Sequence, residues 1–217
     1  MIRVDFTVPA EFEDVPIGVD FAEAWAEVNT RNAQLSLAAT ETDQQSLTEM
    51  ARNLHQISRL LAKAGVVYAA NCLHSFQGAP SLGTLAVAVV DFPYGDDART
   101  AAQGTLRAVL DSRGEGWVGG VIDAPCGRVA VFTGGQKYTL PPAFSLNGEP
   151  VDVVTAQFHA IVPVPTEVSR DSRYLCLLAF STPNIGHWET CYAPMMAGVL
   201  RSLRFAGFEE SGHGPVK

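Results

Sequence analysis

Leu85-Ala86-Val87-Ala88-Val89-Val90 is an unbroken apolar run inside residues 83–92. Successive side chains of a strand point to opposite faces, so such a run is typical of a strand that is covered on both sides. Residues 173–181 have the same character, with an apolar residue at every position from Tyr174 to Phe180. Two segments of this kind predict central strands of a sheet that has helices packed on both faces.

Shorter apolar patterns predict the other strands of this sheet. They lie at residues 2–9, 66–76, 121–124, 128–133 and 151–163. The turn Gln77-Gly78-Ala79-Pro80 favours a hairpin, and three prolines within residues 137–150 predict a loop. Short turns between adjacent strands indicate antiparallel pairing. The sequence therefore predicts an α+β fold with an antiparallel sheet of about six strands.

The longest helix is predicted at residues 43–64. Its apolar residues recur every three or four positions, which is the spacing of one helix face; they are Leu47, Met50, Leu54, Ile57 and Leu61. Thr42 and Gln45 have the spacing of a capping box, and Gly65 supplies a stop. Three further helical segments are predicted at residues 21–28, at 97–112 with Asp96 or Asp97 as the cap, and at 187–203.

The chain of 217 residues is expected to form a single domain over residues 1–208, with a loose C-terminal tail at 209–217. Its formal net charge of −8 argues against nucleic acid as a partner, because phosphate binding needs clustered basic residues. No segment is long and apolar enough to span a membrane, and the first residues lack the layout of a signal peptide. We therefore expect a cytoplasmic protein without a membrane partner, with reduced and mostly buried cysteines at Cys72, Cys126, Cys176 and Cys191.

Familiar catalytic and cofactor motifs are missing from the sequence. There is no G-x-S-x-G elbow, Walker A loop, H-E-x-x-H or EF-hand spacing. This lowers the expectation of the common hydrolases, nucleotide-binding proteins and metalloproteases. The sequence favours a protein that is not an enzyme, with no catalytic residue, no cofactor and no metal.

His187 and Cys191 form the sharpest chemical pair in the sequence. At a spacing of four residues on a helix they would share a face, where they could bind zinc or form a thiolate–imidazole couple. His74 and Cys72 share a strand face and could contribute to the same zinc site. The alternative is that Trp188 and its neighbours simply open an amphipathic helix, with the histidine and cysteine as part of its surface.

His159 is a second candidate site residue. The alternation in residues 151–163 places it on one face with Gln157 and Thr155. These three polar side chains could line a pocket. Alternatively, they could form the solvated face of a strand.

Two surface features are candidates for contact with a protein. Trp117 follows a glycine-rich segment and could anchor a partner from a mobile loop, or else open the next strand and pack down. Glu11, Glu13 and Asp14 begin an acidic stretch at residues 11–27. That stretch could dock a basic partner or form a solvated surface.

Three segments carry a resemblance to a known family. They are Phe6-Thr7-Val8-Pro9-Ala10-Glu11-Phe12, Phe180-Ser181-Thr182-Pro183 and Val199-Leu200-Arg201-Ser202-Leu203-Arg204-Phe205. Together they resemble the PsbP-like and Mog-type domain family, although residues 11–65 depart from its pattern. The resemblance implies a PsbP/Mog-like sandwich and a non-enzymatic protein-binding module. The family includes photosystem subunits, a Ran-binding protein and secretion-linked cargo chaperones, and its motifs are packing signatures that transfer no functional residue.

Three hypotheses of function follow from the sequence. The first is a non-enzymatic protein-binding or chaperone-like module with a protein partner or a homodimeric state. The alternative is a small-molecule binder or uncharacterised enzyme with a pocket near His159 or near His187 and Cys191. A structural subunit of a larger assembly is the third.

Overall fold

The computed structural model describes residues 2–34, 41–76, 78–93, 97–142, 148–169 and 173–207. Within these ranges the strands are β1 (Ile2–Asp5), β2 (Phe12–Asp14), β3 (Val66–Phe76), β4 (Ala79–Asp91), β5 (Trp117–Ala124), β6 (Gly127–Leu140), β7 (Val151–Pro163), β8 (Tyr174–Thr182) and β9 (Arg204–Gly207). The α-helices are α1 (Phe21–Gln34), α2 (Glu41–Lys63), α3 (Ala98–Arg113) and α4 (Ala193–Ser202). A 3₁₀ turn (Ile185–His187) and a π-helical turn (Trp188–Tyr192) precede α4.

Seven strands form one antiparallel sheet in the order β2-β3-β4-β8-β7-β6-β5, and β1 pairs separately with β9. The predicted α+β class and antiparallel pairing are confirmed, with seven strands in the main sheet where about six were expected. The two segments that are apolar at every position become β4 and β8, which pair with each other in the middle. Because the order interleaves early and late strands, β8 inserts between the β3–β4 hairpin and the β5–β6–β7 meander.

Two separate hydrophobic clusters use alternate residues of the same strands. Ala160 and Val162 of β7 lie in the larger cluster, together with Met196 of α4. Ile161, which stands between them, belongs to the second cluster with Ala102 of α3. Because neighbouring residues of a strand point to opposite faces, the two clusters lie on opposite sides of β7. A third cluster joins α1 to α2 and consists of Val28, Leu47 and Ala51, with Trp25 and Leu54 packed against it.

The strand predictions were accurate where an apolar pattern is long. The predicted bounds of β3 and β7 are confirmed, as is the hairpin between β3 and β4. The loop predicted at 137–150 is wrong for its first four residues, because β6 continues to Leu140 beside β7. The strand predicted at 2–9 ends at Asp5, and the three residues of β2 are too few for a sequence pattern to show.

The helix predictions need three corrections. The structure places α1 at Phe21–Gln34, which is longer than the predicted 21–28, and α2 begins at Glu41, so Thr42 lies inside the helix and not at its cap. The helix predicted at 187–203 is divided, with α-helical geometry only from Ala193 onward. Asp97 does cap α3, since its Oδ1 accepts a hydrogen bond from the backbone N–H of Arg99. The predicted tail at 209–217 lies outside the described residues.

Gly83 is the point where β4 lets two aromatic rings approach its backbone. A Cβ at this position would lie 2.7 Å from Cε2 of Phe180 and 3.2 Å from Cε1 of Tyr192. Both rings are fully buried, so they have little room to move. Packing therefore requires a residue without a Cβ at position 83.

We predict that Gly83→Ala lowers the free energy of unfolding by about 1–3 kcal/mol, because the new methyl group overpacks the core. Gly120→Ala in β5 is the matched control, since a Cβ there meets no atom within 4 Å and the change should stay within about 0.5 kcal/mol. Urea unfolding of both variants measures the difference. Equal losses at the two glycines would contradict this account of the core.

Candidate cleft on the sheet

A cleft of about 600 Å³ opens between the sheet and α2. Its floor comes from five adjacent strands, β3, β4, β8, β7 and β6. One wall of the cleft is the apolar side of α2. Arg113, the last residue of α3, lies at the other end of the cleft. The volume falls within the range of roughly 300–1,000 Å³ that is usual for small-molecule sites.

The first row of the floor is polar. Cross-strand pairing aligns Asn71 of β3 with Thr84 of β4, Thr84 with Ser181 of β8, and Ser181 with Gln157 of β7. All four residues line the cleft. At a strand spacing of about 4.8 Å, the row extends over roughly 14 Å. In the described part of the chain no side-chain hydrogen bond involves Asn71, Thr84 or Ser181, so their polar atoms are available to a ligand in the cleft.

The second row of the floor is made of small residues and ends in an imidazole. Ala69, Ala86 and Ala179 are cross-strand partners in succession, and Ala179 pairs with His159. Because methyl side chains are short, they leave space for the cleft between the sheet and α2. The row therefore gives an apolar path that leads to His159.

The wall opposite the floor comes from the helical hairpin of α1 and α2. Leu54, Ile57 and Leu61 of α2 line the cleft. The hairpin is tied to the loop after β2, because the Ser58 hydroxyl donates to the carbonyl of Val19 at 3.3 Å and the N–H of Gly18 donates to the carbonyl of Ser58 at 3.1 Å. Ile57 is 50% exposed although it lines the cleft, so its apolar surface remains accessible.

His159, Gln157 and Tyr138 form a hydrogen-bonded chain on the floor. The side-chain amide of Gln157 donates to the Tyr138 hydroxyl at 2.6 Å and lies 3.4 Å from the Thr155 hydroxyl. Its carbonyl Oε1 lies 3.2 Å from Nε2 of His159. Because Oε1 can only accept, this bond places the imidazole proton on Nε2 and leaves Nδ1 as an acceptor.

Burial keeps the His159 imidazole neutral. Desolvation by burial is the main cause, and the positive charge of Arg113 adds to it, so that the pKa of His159 falls from 6.5 to about 4. The ring also stacks on Phe132, with 5.4 Å between ring centroids and an interplanar angle of 13°. At neutral pH the cleft thus contains an uncharged, fixed imidazole.

Arg113 is held at the rim by two contacts. Its Nη1 donates to Oε1 of Gln136 at 2.9 Å, and its guanidinium carbon lies 4.9 Å from the centroid of the Trp117 ring. Trp117 in turn lies beside His159, with 5.5 Å between ring centroids. Gly134 makes room for the indole, because a Cβ there would lie within 2.7 Å of ring atoms of Trp117.

The placement of Trp117 in a mobile loop is wrong. It is the first residue of β5, partly buried, and pairs across the strand with Gly134. Gly119 and Gly120, which follow it, also lie inside β5. The alternative interpretation, that Trp117 opens a strand and packs down, is the one the structure bears out.

His187 and Cys191 do not line the cleft, unlike His159 and Gln157. Residues Trp188–Tyr192 form a π-helical turn, in which the backbone hydrogen bonds join residues five apart. His187 and Tyr192 are five residues apart, and their side chains meet at Ser81. Nδ1 of His187 and the Tyr192 hydroxyl lie 2.9 Å and 2.7 Å from the Ser81 hydroxyl. Cys191 lies 3.5 Å from the hydroxyl of Thr190.

The acidic residues Glu11, Glu13 and Asp14 lie at or next to β2, which is the edge of the sheet opposite to β5. Asp14 ends β2, and its carboxylate accepts a hydrogen bond from the Tyr68 hydroxyl at 2.6 Å. Burial and this carboxylate both raise the pKa of Tyr68. Glu13 is exposed on β2, and Glu11 is partly buried just before it.

Among the described residues, no group of three or more histidine, cysteine, aspartate or glutamate side chains could hold a metal ion. Cys72, Cys126 and Cys176 are buried, as expected for most of the thiols, and burial raises the pKa of all three, to about 12 for Cys176. No helix in the described ranges combines the length and the apolar character that crossing a membrane would require.

Comparison with known proteins adds no relative. No family model matches the chain, and a search of curated proteins finds no match either. The resemblance to the PsbP-like and Mog-type family therefore stays a prediction.

Sequence reasoning found two of the cleft residues and missed the others. His159 and Gln157 were detectable because polar residues alternate with apolar ones in β7. Asn71 and Thr84 face each other across the β3–β4 hairpin, but Ser181 lies far along the chain, and only the strand order brings all three into one row. Arg113 directly follows the helix predicted at 97–112, and no sequence pattern indicated a role for it in a cleft.

We predict that the His159 imidazole makes the protein lose stability as the pH falls from about 6.5 to about 4. The unfolded chain binds the proton with an ordinary pKa while the folded chain resists it, so acid favours unfolding. After allowance for partial exposure, the loss should be about 1–2 kcal/mol. Urea unfolding across this range, compared with the non-titrating variant His159→Gln, measures it. Parallel pH profiles of the two proteins would contradict the assignment.

Proposed function

We propose that the protein binds a small, mostly apolar molecule in the cleft between the sheet and α2. The observation that carries this proposal is the two-row floor, in which an apolar row of alanines lies beside a polar row formed by Asn71, Thr84, Ser181 and Gln157. Sites for small molecules combine apolar surface with a few fixed polar groups that orient the ligand. This supports the small-molecule alternative over the other hypotheses drawn from the sequence.

Binding fits the cleft better than catalysis does. The described residues that line it include no cysteine, lysine, aspartate or glutamate. Its one imidazole, His159, is bonded to the amide of Gln157 and not to a hydroxyl that it could activate. The arrangement can therefore hold and orient a ligand, but it lacks the nucleophile–base pair of a hydrolase.

A neutral fluorescent probe tests the proposal. N-phenylnaphthylamine is apolar and flat, and it should bind saturably with increased emission. Ala86→Leu should weaken this binding about tenfold or more, because the larger side chain rises from the middle of the floor into the cleft. Fluorescence titration measures both affinities, and thermal unfolding checks that the variant is folded.

Ala108→Leu is the matched control for this experiment. Ala108 is exposed on α3 and does not line the cleft, so the same substitution there should leave the affinity unchanged. If the probe does not bind, or if Ala86→Leu binds it as well as the native protein, the cleft is not the binding site and the proposal fails.

A second candidate function is association of two copies through β5, which would give the protein partner that the sequence led us to expect. In the described sheet β5 is an edge strand that pairs only with β6. Val118 and Ile122 are exposed on it by 67% and 45%, and a long apolar edge favours pairing with another chain.

Val118→Lys should therefore convert a dimer into a monomer, because an edge lysine opposes strand pairing. Val67→Lys is the control, since Val67 is also half exposed but lies in β3, inside the sheet. Light scattering on the three proteins gives the answer. A native protein that is monomeric at high concentration would rule out this candidate.

A further inference from the structure

The cleft has a positively charged end in an otherwise acidic protein. The whole chain contains 23 acidic and 15 basic residues. The charged side chains among the described residues that line the cleft are nevertheless two arginines, Arg31 and Arg113. This local reversal of charge favours an anionic ligand.

The two arginines differ in their partners. Nε of Arg31 lies 2.7 Å from Oε1 of Glu27, and its Nη2 donates to the carbonyl of Asp14, so its charge is already compensated. Among the ion pairs of the described residues, none includes Arg113. The uncompensated charge is therefore at the end of the cleft near His159.

Arg113 is also oriented for binding before any ligand arrives. Gln136 and the ring of Trp117 fix its guanidinium, and only Nη1 is used in the bond to Gln136. The other N–H groups remain available, and a guanidinium matches the two oxygens of a carboxylate. A fixed donor loses less conformational entropy on binding than a mobile one.

The rest of the cleft defines the body of the ligand. From Arg113 and His159 the apolar row continues through Ala179 and Ala86 to Ala69, under the leucine side of α2. An uncharged imidazole beside the guanidinium offers no second positive charge, so one negative charge is matched at this end. We infer that the ligand of the proposed site is an elongated apolar monocarboxylate, with its carboxylate on Arg113 and its apolar body along the alanine row. This inference rests on the proposed function.

Competition between two probes of equal length tests the inference. Decanoate and decanol differ only in the head group, and both should displace N-phenylnaphthylamine from the cleft. We expect decanoate to do so at a roughly tenfold lower concentration, because a charge-assisted hydrogen bond is stronger than a neutral one. Arg113→Met should remove this preference while it keeps an apolar side chain against Trp117.

Arg107→Met on the same helix is the control. Arg107 is exposed and does not line the cleft, so the preference for decanoate should persist. Equal displacement by decanoate and decanol in the native protein would overturn the inference, as would a preference that survives Arg113→Met. Either result leaves binding of the neutral probe intact, so it is distinguishable from failure of the proposed function.

A measurement on the native protein covers the case in which Arg113→Met does not fold. A carboxylate on Arg113 cancels the charge that helps to lower the pKa of His159, so saturating decanoate should raise this pKa in an NMR titration of the imidazole. Decanol should not have this effect. An unchanged pKa in the presence of decanoate would place the anion elsewhere and overturn the inference.

Discussion

The antiparallel pairing of β8 with both β4 and β7 positions the floor of the cleft. It places Ala179 between Ala86 and His159, and Ser181 between Thr84 and Gln157. A slip of one residue in either pairing would send these side chains to the opposite face. The buried residues Cys176, Leu178 and Phe180 on the other face of β8 fix the register, because a slip would expose them. Packing on one side of the sheet therefore positions the polar row on the other.

Long patterns of apolar residues were sufficient to predict most of the sheet. The sequences of β3, β4, β7 and β8 show that these segments lie in the core, because burial dictates their apolar composition. The order of these strands does not follow from composition, because β8 pairs on one side with β7, the preceding strand, and on the other with β4, which lies much earlier in the chain. For the same reason, the sequence could indicate His159 and Gln157, which share a strand, but not their cross-strand neighbours.

Local geometry explains the two interpretations of aromatic and histidine residues that failed. Glycines near Trp117 suggested a flexible loop, but Gly134 serves instead to let the indole lie flat on β6. The spacing of His187 and Cys191 suggested a shared helix face, but a π-helical turn at this point directs His187 and Tyr192 to Ser81. In both cases the side chain contacts another strand, β6 for Trp117 and β4 for His187, and a sequence pattern does not show these contacts.

We propose that the alanine row is the floor of a binding site. Alanine methyl groups labelled for NMR test it directly, through nuclear Overhauser contacts between bound N-phenylnaphthylamine and the protein. We expect contacts from the probe to the methyl groups of Ala86 and Ala179, which line the cleft. Contacts confined to alanines outside the cleft, such as the exposed Ala108, would contradict it.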